Sequence, residues 1–559
     1  NTEGENNTAL GQGALTKNIT ADNNTAVGTT ALACNTTGAS NTAVGKDTLI
    51  ANTTGSSNVA VGKNTLDANT TGGCLTALGQ GALGVNTEGD FNVAVGQAAL
   101  GANTTADGNT AVGRLALGAN TTGTENVAVG FCALTTNQTA VNGTAVGNYA
   151  LKLNTGDSNS AFGRTALCTN SSGSSNVALG VNALKANTTA SDNTAVGTAS
   201  LFSNQTGHSN VAVGRCSLNA NTTGAQSVAV GLKALNANTT GSNSSAFGFC
   251  ALASGTTASL NTAIGNFALR DTQNGCKNTA VGYQSMLDAT SADCNVALGA
   301  YSLANNTTAD LNTALGACSM YTNDTGANNV AVGYNSLYST TGSNNTAVGL
   351  NALVSSQGTN DSTAIGMRAL CAQTTGSNNT SVGYSSMCGV TTGVCNTSIG
   401  RLSGRITSTG DNNASLGYDA NPSAFGSDNQ ITLGNSNNNN LRCADTSIST
   451  LSDLRDKTNV EDIPHGLDYI LALRPVKFDW ETRDGSRKGK KDYGFIAQEL
   501  DKVETDFGSA EYTKLVHKDN PEKWEADPMK TYPILIKAIQ ELKTQNDNLI
   551  TRIETLESK

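Results

Sequence analysis

The sequence predicts a mainly β protein, in which a β-solenoid or β-roll rod of about 26 coils precedes a small α+β domain that ends in a parallel coiled coil. Three observations support this prediction. A glycine closes a TAVG-like tetrapeptide with a 17-residue period, from Gly11 to Gly434. Charged side chains number 36 in residues 1–451 but 40 in the much shorter stretch 452–559. Apolar residues recur with heptad spacing in residues 533–559.

The repeat follows the consensus NTAVGxxALxxNTTGxx, and two of its steps, Gly147 to Gly163 and Gly333 to Gly349, are shorter than the others by a single position. The residue before the glycine is always Val, Leu, Ile or Phe, and the one before that is usually Ala. Because Gly, Asn and Thr recur every few residues, a helix is disfavoured. We expect two short strands per repeat, one at each apolar pair, separated by Gly and Asn-Thr turns.

Stacked coils would align Asn24, Asn41 and Asn58, which lie four residues before successive glycines, so that their amides can hydrogen-bond along the stack. The Ala-Val pairs indicate strands buried on both faces, since neighbouring strand residues point to opposite sides. Ala suits the narrow interior of a coil, and another chain is the simplest cover for Val. We therefore expect a homotrimeric rod, with a monomeric solenoid as the alternative. The repeat resembles the NxxAIG units in the heads of trimeric autotransporter adhesins.

Composition argues against several classes of protein. The net charge of −10 and the lack of a basic stripe disfavour a nucleic-acid partner. No apolar run approaches the roughly 20 residues of a membrane span, so no membrane insertion is expected. The chain begins without Met and inside a repeat, so we expect its N-terminal part to be missing.

The 13 cysteines are odd in number, and their spacing fits neither a zinc site nor a disulfide scaffold. We interpret them as small buried hydrophobic residues, and we expect no metal and no cofactor. Cys371 and Cys388 alone occupy the same position in adjacent repeats, where stacking would bring them close.

The predicted domains are the repeat rod (1–400), degenerate repeats that form an end cap or tip (401–451), an α+β domain (452–532) and a C-terminal coiled coil (533–559). Heptad positions a and d of the coiled coil are occupied by Ile539, Leu542, Asn546, Leu549, Ile553 and Leu556. A lone Asn at position a commonly sets register and oligomeric state, so we expect these helices to align identical chains.

Three motifs follow one another in the last part of the chain: LSDLRDK (451–457), ILALRPVKFDW (470–480) and GFIAQEL (494–500). The second motif predicts a helix leading to a strand, and the third a strand entering a helix. Together they resemble the endosialidase-type intramolecular chaperone, a domain that cleaves itself from phage tail fibres, tailspikes and related trimeric surface proteins.

The resemblance implies that Ser452 is a nucleophile, that Lys457 is its base, and that Leu451–Ser452 is the bond cleaved. A serine hydroxyl needs a base to attack. Lysine, whose pKa is ordinarily about 10.4, can act as one only when burial or a neighbouring cation disfavours its charged form. Arg455 is a candidate for that cation, and assembly of three chains is a candidate for the burial.

Asp453, Arg455 and Glu499 are the candidate supporting residues. The alternative interpretation is that the charged residues after Ser452 form a solvated cluster without chemistry. A dyad of this kind would cut its own chain once and act on no separate substrate, so the chain would be a serine peptidase only in that restricted sense.

These features favour a structural fibre. The first hypothesis is a phage tail fibre on a virion, which attaches to a host-cell receptor, either a glycan or a surface protein. Nearly identical coils can slip by one repeat, so a C-terminal domain that trimerises first would set the register before it is released. A trimeric adhesin on a bacterial cell surface is the alternative. A glycan-degrading tailspike is a third hypothesis, but it needs clustered carboxylates, and acidic residues are sparse in the repeats.

Overall fold

The computed structural model describes residues 3–438, 452–482, 487–518, 521–522 and 524–559. These residues fall into two compact units, 1–358 and 359–559. Both units contain β-solenoid coils, and the second also contains the C-terminal α+β segment. The protein is therefore mainly β, as predicted.

Each coil contributes one strand of three residues, and the strands of each unit pair in parallel in chain order. The first unit holds β1 to β21, which are Thr8–Leu10, Thr25–Val27, Thr42–Val44, Val59–Val61, Thr76–Leu78, Val93–Val95, Thr110–Val112, Val127–Val129, Thr144–Val146, Ser160–Phe162, Val177–Leu179, Thr194–Val196, Val211–Val213, Val228–Val230, Ser245–Phe247, Thr262–Ile264, Thr279–Val281, Val296–Leu298, Thr313–Leu315, Val330–Val332 and Thr346–Val348. The second unit holds β22 to β26, which are Thr363–Ile365, Thr380–Val382, Thr397–Ile399, Ala414–Leu416 and Ile431–Leu433.

The register of the strands confirms the 17-residue period. In β2 and β3, for example, Ala26 pairs with Ala43 and Val27 with Val44. The central Ala points into the coil and is fully buried, whereas the residues on either side point outward and stay partly exposed. In the single chain some of these outward side chains are large and apolar. Phe162, for example, is 39% exposed and Leu416 is 53% exposed. The expected cover for this outward face, another chain, stays a prediction.

The prediction of two strands per repeat is wrong, because the second apolar pair forms a turn. Leu32 has a φ of 52°, and the same left-handed conformation recurs at the equivalent leucine of the other coils. This conformation costs an ordinary residue about 1–2 kcal/mol and is incompatible with a strand. Leu32 is nonetheless fully buried. Burying a leucine side chain contributes about 1.5–3 kcal/mol, which offsets the strain and allows a tight coil to close around it.

The glycine of each TAVG tetrapeptide is required by the close approach of the coils. Gly45 has a φ of 138°, and a Cβ added to it would lie 2.4 Å from the carbonyl oxygen of Gly62 in the next coil. No side chain fits between the two backbones at that distance. The glycine therefore recurs in every repeat because every coil makes this stacking contact with the next.

Two sets of buried asparagines bond one coil to the next. In the set that precedes the strands, the Oδ1 of Asn24 accepts the backbone N–H of Asn41 at 2.9 Å. In the set that opens the NTTG turns, the Nδ2 of Asn52 donates to the Oδ1 of Asn35 at 2.8 Å. The predicted bonding between coils is present, but the amide-to-amide ladder runs mainly through the second set. Each such bond contributes about 1 kcal/mol net, and the bonds recur from coil to coil.

A row of aromatic rings crosses six successive coils of the first unit. Neighbouring ring centroids are 5.0 to 6.3 Å apart along the series Phe249, Phe267, Tyr283, Tyr301, Tyr321 and Tyr338. Edge-to-face and stacked pairs at such distances add about 0.5–1.5 kcal/mol each beyond their burial. This row reinforces the stacking of those coils from the outside.

The cysteines are less buried than the sequence analysis expects. Of the twelve described cysteines Cys132 is buried, whereas Cys74, Cys294 and Cys395 are exposed and the others are half-buried. Their interpretation as small buried hydrophobic residues is therefore wrong for most of them. The reason is that most occupy turn positions whose side chains point away from the narrow interior, which Ala, Leu and Asn fill.

The C-terminal segment is a small α+β arrangement, as predicted. Its elements are α1 (Leu467–Ala472), β27 (Val476–Asp479), β28 (Lys491–Gly494), α2 (Ala497–Asp506), α3 (Ala510–Thr513), β29 (Val516–His517), β30 (Glu525–Ala526) and α4 (Tyr532–Glu557), with 3-10 turns at Leu454–Asp456 and Pro528–Thr531. Strands β27 and β28 are antiparallel, as are β29 and β30. The predicted helix-to-strand and strand-to-helix motifs correspond to α1–β27 and β28–α2. The core of this segment consists of Tyr469, Leu500, Leu515 and Ile534.

Candidate functional site

Ser452 and Lys457 lie together at the start of the C-terminal segment. Between them the chain makes the single 3-10 turn Leu454–Asp456, which is capped by the carboxylate of Asp453. This turn folds the chain back on itself, so that the Nζ of Lys457 donates a hydrogen bond to the Oγ of Ser452 at 2.7 Å. Both side chains are exposed in the single chain. The structure therefore brings together the two residues proposed as nucleophile and base.

Asp453 and Arg455 form an ion pair beside this turn. The Oδ1 of Asp453 accepts the backbone N–H of Arg455 at 2.9 Å and its Nε–H at 3.0 Å. The guanidinium of Arg455 lowers the pKa of Asp453, and the carboxylate raises the pKa of Arg455. Arg455 thus pairs with Asp453 in the single chain, and its role as the cation beside Lys457 stays a prediction. Asp453 therefore caps the turn and forms an ion pair with Arg455.

Glu499 lies in the first turn of α2 and bonds to Arg474, which follows α1. The Nε of Arg474 donates to the Oε2 of Glu499 at 2.9 Å, and a second guanidinium N–H donates to Oε1. This pairing lowers the pKa of Glu499 and raises that of Arg474. The pair joins the second motif to the third, so Glu499 acts here as a link between α1 and α2. Arg474 is a residue that the sequence analysis did not single out.

A buried polar network inside the C-terminal segment was also missed. Glu504 is 2% exposed and its Oε1 accepts hydrogen bonds from the hydroxyl of Thr513 at 2.5 Å and from the N–H of Leu515 at 2.6 Å. The hydroxyl groups of Tyr469 and Ser509 are 3.0 Å apart in the same core. A signal was available, because Glu504 lies four residues after the buried Leu500 and so on the same helix face.

Helix α4 is attached to this core at its N-terminal half. Ile534 and Ala538 are buried, and the Oε2 of Glu541 accepts the N–H of Leu467 at 2.7 Å. Beyond this point the helix extends with exposed apolar side chains. The globular core thereby fixes the direction in which the rest of α4 projects.

All six residues predicted at heptad positions a and d lie on α4. Five of them are apolar side chains between 52% and 64% exposed, namely Ile539, Leu542, Leu549, Ile553 and Leu556. Asn546 lies between them and is also exposed. Apolar residues that recur along one helix in this way are typical of a surface that another helix covers.

Residues 452–509 match the family model for the chaperone of endosialidase. Over these residues the C-terminal segment is similar to an endosialidase-chaperone domain. The match begins at Ser452 and encloses the turn at Lys457 and both motifs that the Arg474–Glu499 pair joins. Trimerisation is a property of that chaperone family. A search of curated proteins and a search of solved structures each found no significant match to the chain.

Two further findings concern the surroundings of the endosialidase-chaperone domain. Leu451, on the other side of the predicted cleavage bond, lies outside the described residues. Within the part of the chain that the structure describes, no helix combines the length and apolar character that crossing a membrane requires.

Proposed function

We propose that this chain is the subunit of a homotrimeric fibre, specifically a phage tail fibre, whose C-terminal domain aligns three chains and then cuts itself off between Leu451 and Ser452. The observation that carries the proposal is the 2.7 Å bond from Lys457 Nζ to Ser452 Oγ, at the first residue of an endosialidase-chaperone domain that follows a long series of coils. A bacterial trimeric adhesin with the same kind of domain is the second candidate.

The cleavage is written as acyl transfer within the chain. Lys457, as a neutral amine, removes the proton of the Ser452 hydroxyl while Oγ attacks the carbonyl carbon of Leu451. The peptide C–N bond breaks, the Ser452 nitrogen takes a proton, and an ester joins Leu451 to Oγ. Water then hydrolyses the ester, leaving a carboxylate on Leu451 and a free amine on Ser452.

The exposure of Ser452 and Lys457 in the single chain supports control of this step by assembly. In open solvent a lysine side chain is held in its charged form, which cannot accept a proton. Exclusion of water by neighbouring chains favours the neutral amine. The pair therefore becomes active only when the chains have assembled, which orders the events as trimerisation, folding of the coils, and release.

Trimerisation through α4 is supported by the exposed a and d side chains of this helix. Nearly identical coils give little preference for one register, because a slip by one whole coil restores most strand contacts. Helices that associate first at one end remove this ambiguity, because each heptad position faces its own copy in the other chains. The coils then add one by one from a defined start.

We expect Leu549→Glu to prevent trimer formation, because it places three carboxylates at one d layer. Thr551→Glu is the matched control: Thr551 lies in the same turn but outside the a and d positions. Native mass spectrometry of the freshly expressed chains checks this. The expected result is a trimer for wild type and Thr551→Glu and monomers or aggregates for Leu549→Glu. A Leu549→Glu trimer with normal coils contradicts the proposed role of α4.

Attachment to a host surface is the proposed task of the assembled fibre, with residues 401–451 as the contact tip. At the start of this region the guanidinium of Arg401 lies over two exposed rings, 5.3 Å from the centroid of Tyr418 and 5.5 Å from that of Tyr384 in the preceding coil. Tyrosine and arginine are enriched at the centres of binding surfaces. Aromatic faces held by a cation form a rigid, partly apolar platform that suits either a glycan or a surface protein.

We expect Tyr418→Ala to reduce the binding of labelled, mature trimers to a susceptible bacterial strain by about tenfold, a typical effect for a central aromatic contact. Phe91→Ala is the control, because Phe91 is an exposed aromatic residue, 65% accessible, in the other unit. Binding is measured by flow cytometry across a panel of strains. Equal binding of Tyr418→Ala and wild type would exclude this platform as the contact. Detection of the chain in cell envelopes but not in purified virions would favour the adhesin.

A further inference from the structure

Cys371 and Cys388 occupy equivalent places in two successive coils of the second unit. Strand β22 pairs with β23 at a shift of one coil, as in Thr363 against Thr380, and the same shift separates the two cysteines. The Sγ of Cys371 lies 3.7 Å from the carbonyl oxygen of Cys388. Both thiols are half-buried and neither is in a disulfide. The two side chains are thus stacked along the solenoid and accessible from solvent.

The neighbourhood is positively charged and makes the two thiols unequal. A hydrogen bond from the Cys388 thiol, followed by one from the Arg368 guanidinium, lowers the pKa of Cys371 to about 6. The same hydrogen bond and burial raise the pKa of Cys388. Arg405 acts on Cys388 from the following coil, and Tyr384 lies near Arg368. Cys371 therefore loses its proton more readily than Cys388, which remains a protonated thiol beside it.

Neighbouring coils also offer a distance that a disulfide can span. Backbones of paired strands lie about 4.8 Å apart, and Cα atoms joined by a disulfide are usually about 4.4–6.8 Å apart. A thiolate next to a second thiol, both reachable from solvent, can attack a disulfide and then be resolved by its neighbour.

We propose that Cys371 and Cys388 are a redox-active pair that closes into a disulfide between adjacent coils. The oxidant is a low-molecular-weight disulfide. The Cys371 thiolate attacks one of its sulfurs, forms a mixed disulfide and releases one thiolate. Cys388 then loses its proton and attacks the Cys371 sulfur, which releases the second thiolate. Two protein thiols are oxidised to one disulfide and one small disulfide is reduced to two thiols.

The bond would clamp two coils close to where the repeat loses its regularity. From residue 401 onward the consensus decays, and the central strand position, which is Ala in β1 to β22, is already Ser381 in β23, Ser398 in β24, Ser415 in β25 and Thr432 in β26. A covalent link between the coils of β22 and β23 prevents fraying that begins at this end from spreading into the regular coils. The pair therefore supplies a stabilising cross-link that depends on the redox state of its surroundings.

The test treats the folded full chain with oxidised glutathione, blocks free thiols with iodoacetamide, and maps the denatured protein by mass spectrometry. Trypsin cuts after Arg368 and Arg401 and yields a peptide that contains Cys371, Cys388 and Cys395; chymotrypsin then cuts after Tyr384 between the first two. We expect the 369–384 and 385–401 fragments to stay joined until reduced, with Cys395 alkylated. Both cysteines alkylated after oxidation of the folded protein would overturn the proposal.

Variants distinguish the attacking thiol, Cys371, from the resolving thiol, Cys388. Cys388→Ser is expected to accumulate glutathione on Cys371, because the resolving thiol is absent, whereas Cys371→Ser leaves Cys388 unmodified. Cys395→Ser is the control and still forms the cross-link. Alkylation of Cys371 is expected to rise as pH increases through about 6 and to slow several-fold at pH 6.5 in Arg368→Gln. A glutathione adduct that forms first on Cys388 would contradict the assignment.

Discussion

Replacement of Ser452 by Ala is expected to stop self-cleavage and leave an intact, trimeric chain. The Oγ that receives the Lys457 hydrogen bond at 2.7 Å is the proposed nucleophile, and alanine has no atom to replace it. Removing the nucleophile of a catalytic group of residues lowers the rate of its reaction by roughly 10³-fold or more. In wild type, mass spectrometry should show a released piece that begins at Ser452 and a fibre that ends at Leu451. In Ser452→Ala it should show a single full-length species.

Three companion measurements make this result specific. Lys457→Arg keeps the positive charge but cannot supply a neutral base, so cleavage should also stop. Thr458→Ala removes the next hydroxyl along the chain and should leave cleavage unchanged. Native mass spectrometry of every variant shows whether trimers have formed. If Ser452→Ala trimers are still cut at the same bond, Ser452 is not the nucleophile. If wild-type trimers stay whole, the domain is a permanent trimerisation cap.

The second large effect is expected from a single methyl group at a stacking glycine. Gly231 has a φ of 135°, and an added Cβ would lie 2.3 Å from the carbonyl oxygen of Gly248. Gly231→Ala must therefore push two coils apart in a conformation that residues with a Cβ avoid. Overpacking together with this strain is expected to destabilise the coils by about 3 kcal/mol or more. Differential scanning calorimetry and limited proteolysis of the mature fibre measure the loss, with new cleavage near residue 231.

Gly81→Ala is the matched control for this change. Gly81 has a φ of 65°, no atom lies within 4 Å of its added Cβ, and the next coil carries Ala98 at the equivalent position with a φ of 54°. We expect a cost of about 1–2 kcal/mol, because a left-handed residue with a Cβ is strained but meets no neighbour. Equal stability of the two variants would show that coil spacing does not depend on the glycine carbonyl contact.

The repeat shows how much of the fold local sequence can predict. The sequence predicts the glycine period, the Ala inside each strand and the Asn rows. These features recur because every coil makes the same contacts with its neighbours and is therefore under the same constraint. The second apolar pair predicts a strand but forms a turn, because neighbouring small and large apolar residues carry no information on the sign of φ. The left-handed turn at Leu32 becomes necessary only when so short a coil must close around a buried side chain.

In the C-terminal segment the sequence alone determined the order of the motifs, the α+β character and the apolar heptad positions of α4. It also placed Ser452 and Lys457 close enough in the chain for one turn to join them. Tertiary structure decided that Arg455 pairs with Asp453 and that Glu499 pairs with Arg474. It also decided that Glu504 is buried among Thr513 and Leu515. The physical reason is that a charge binds the partner that folding brings nearest, and neither distance nor burial is written in the local pattern of residues.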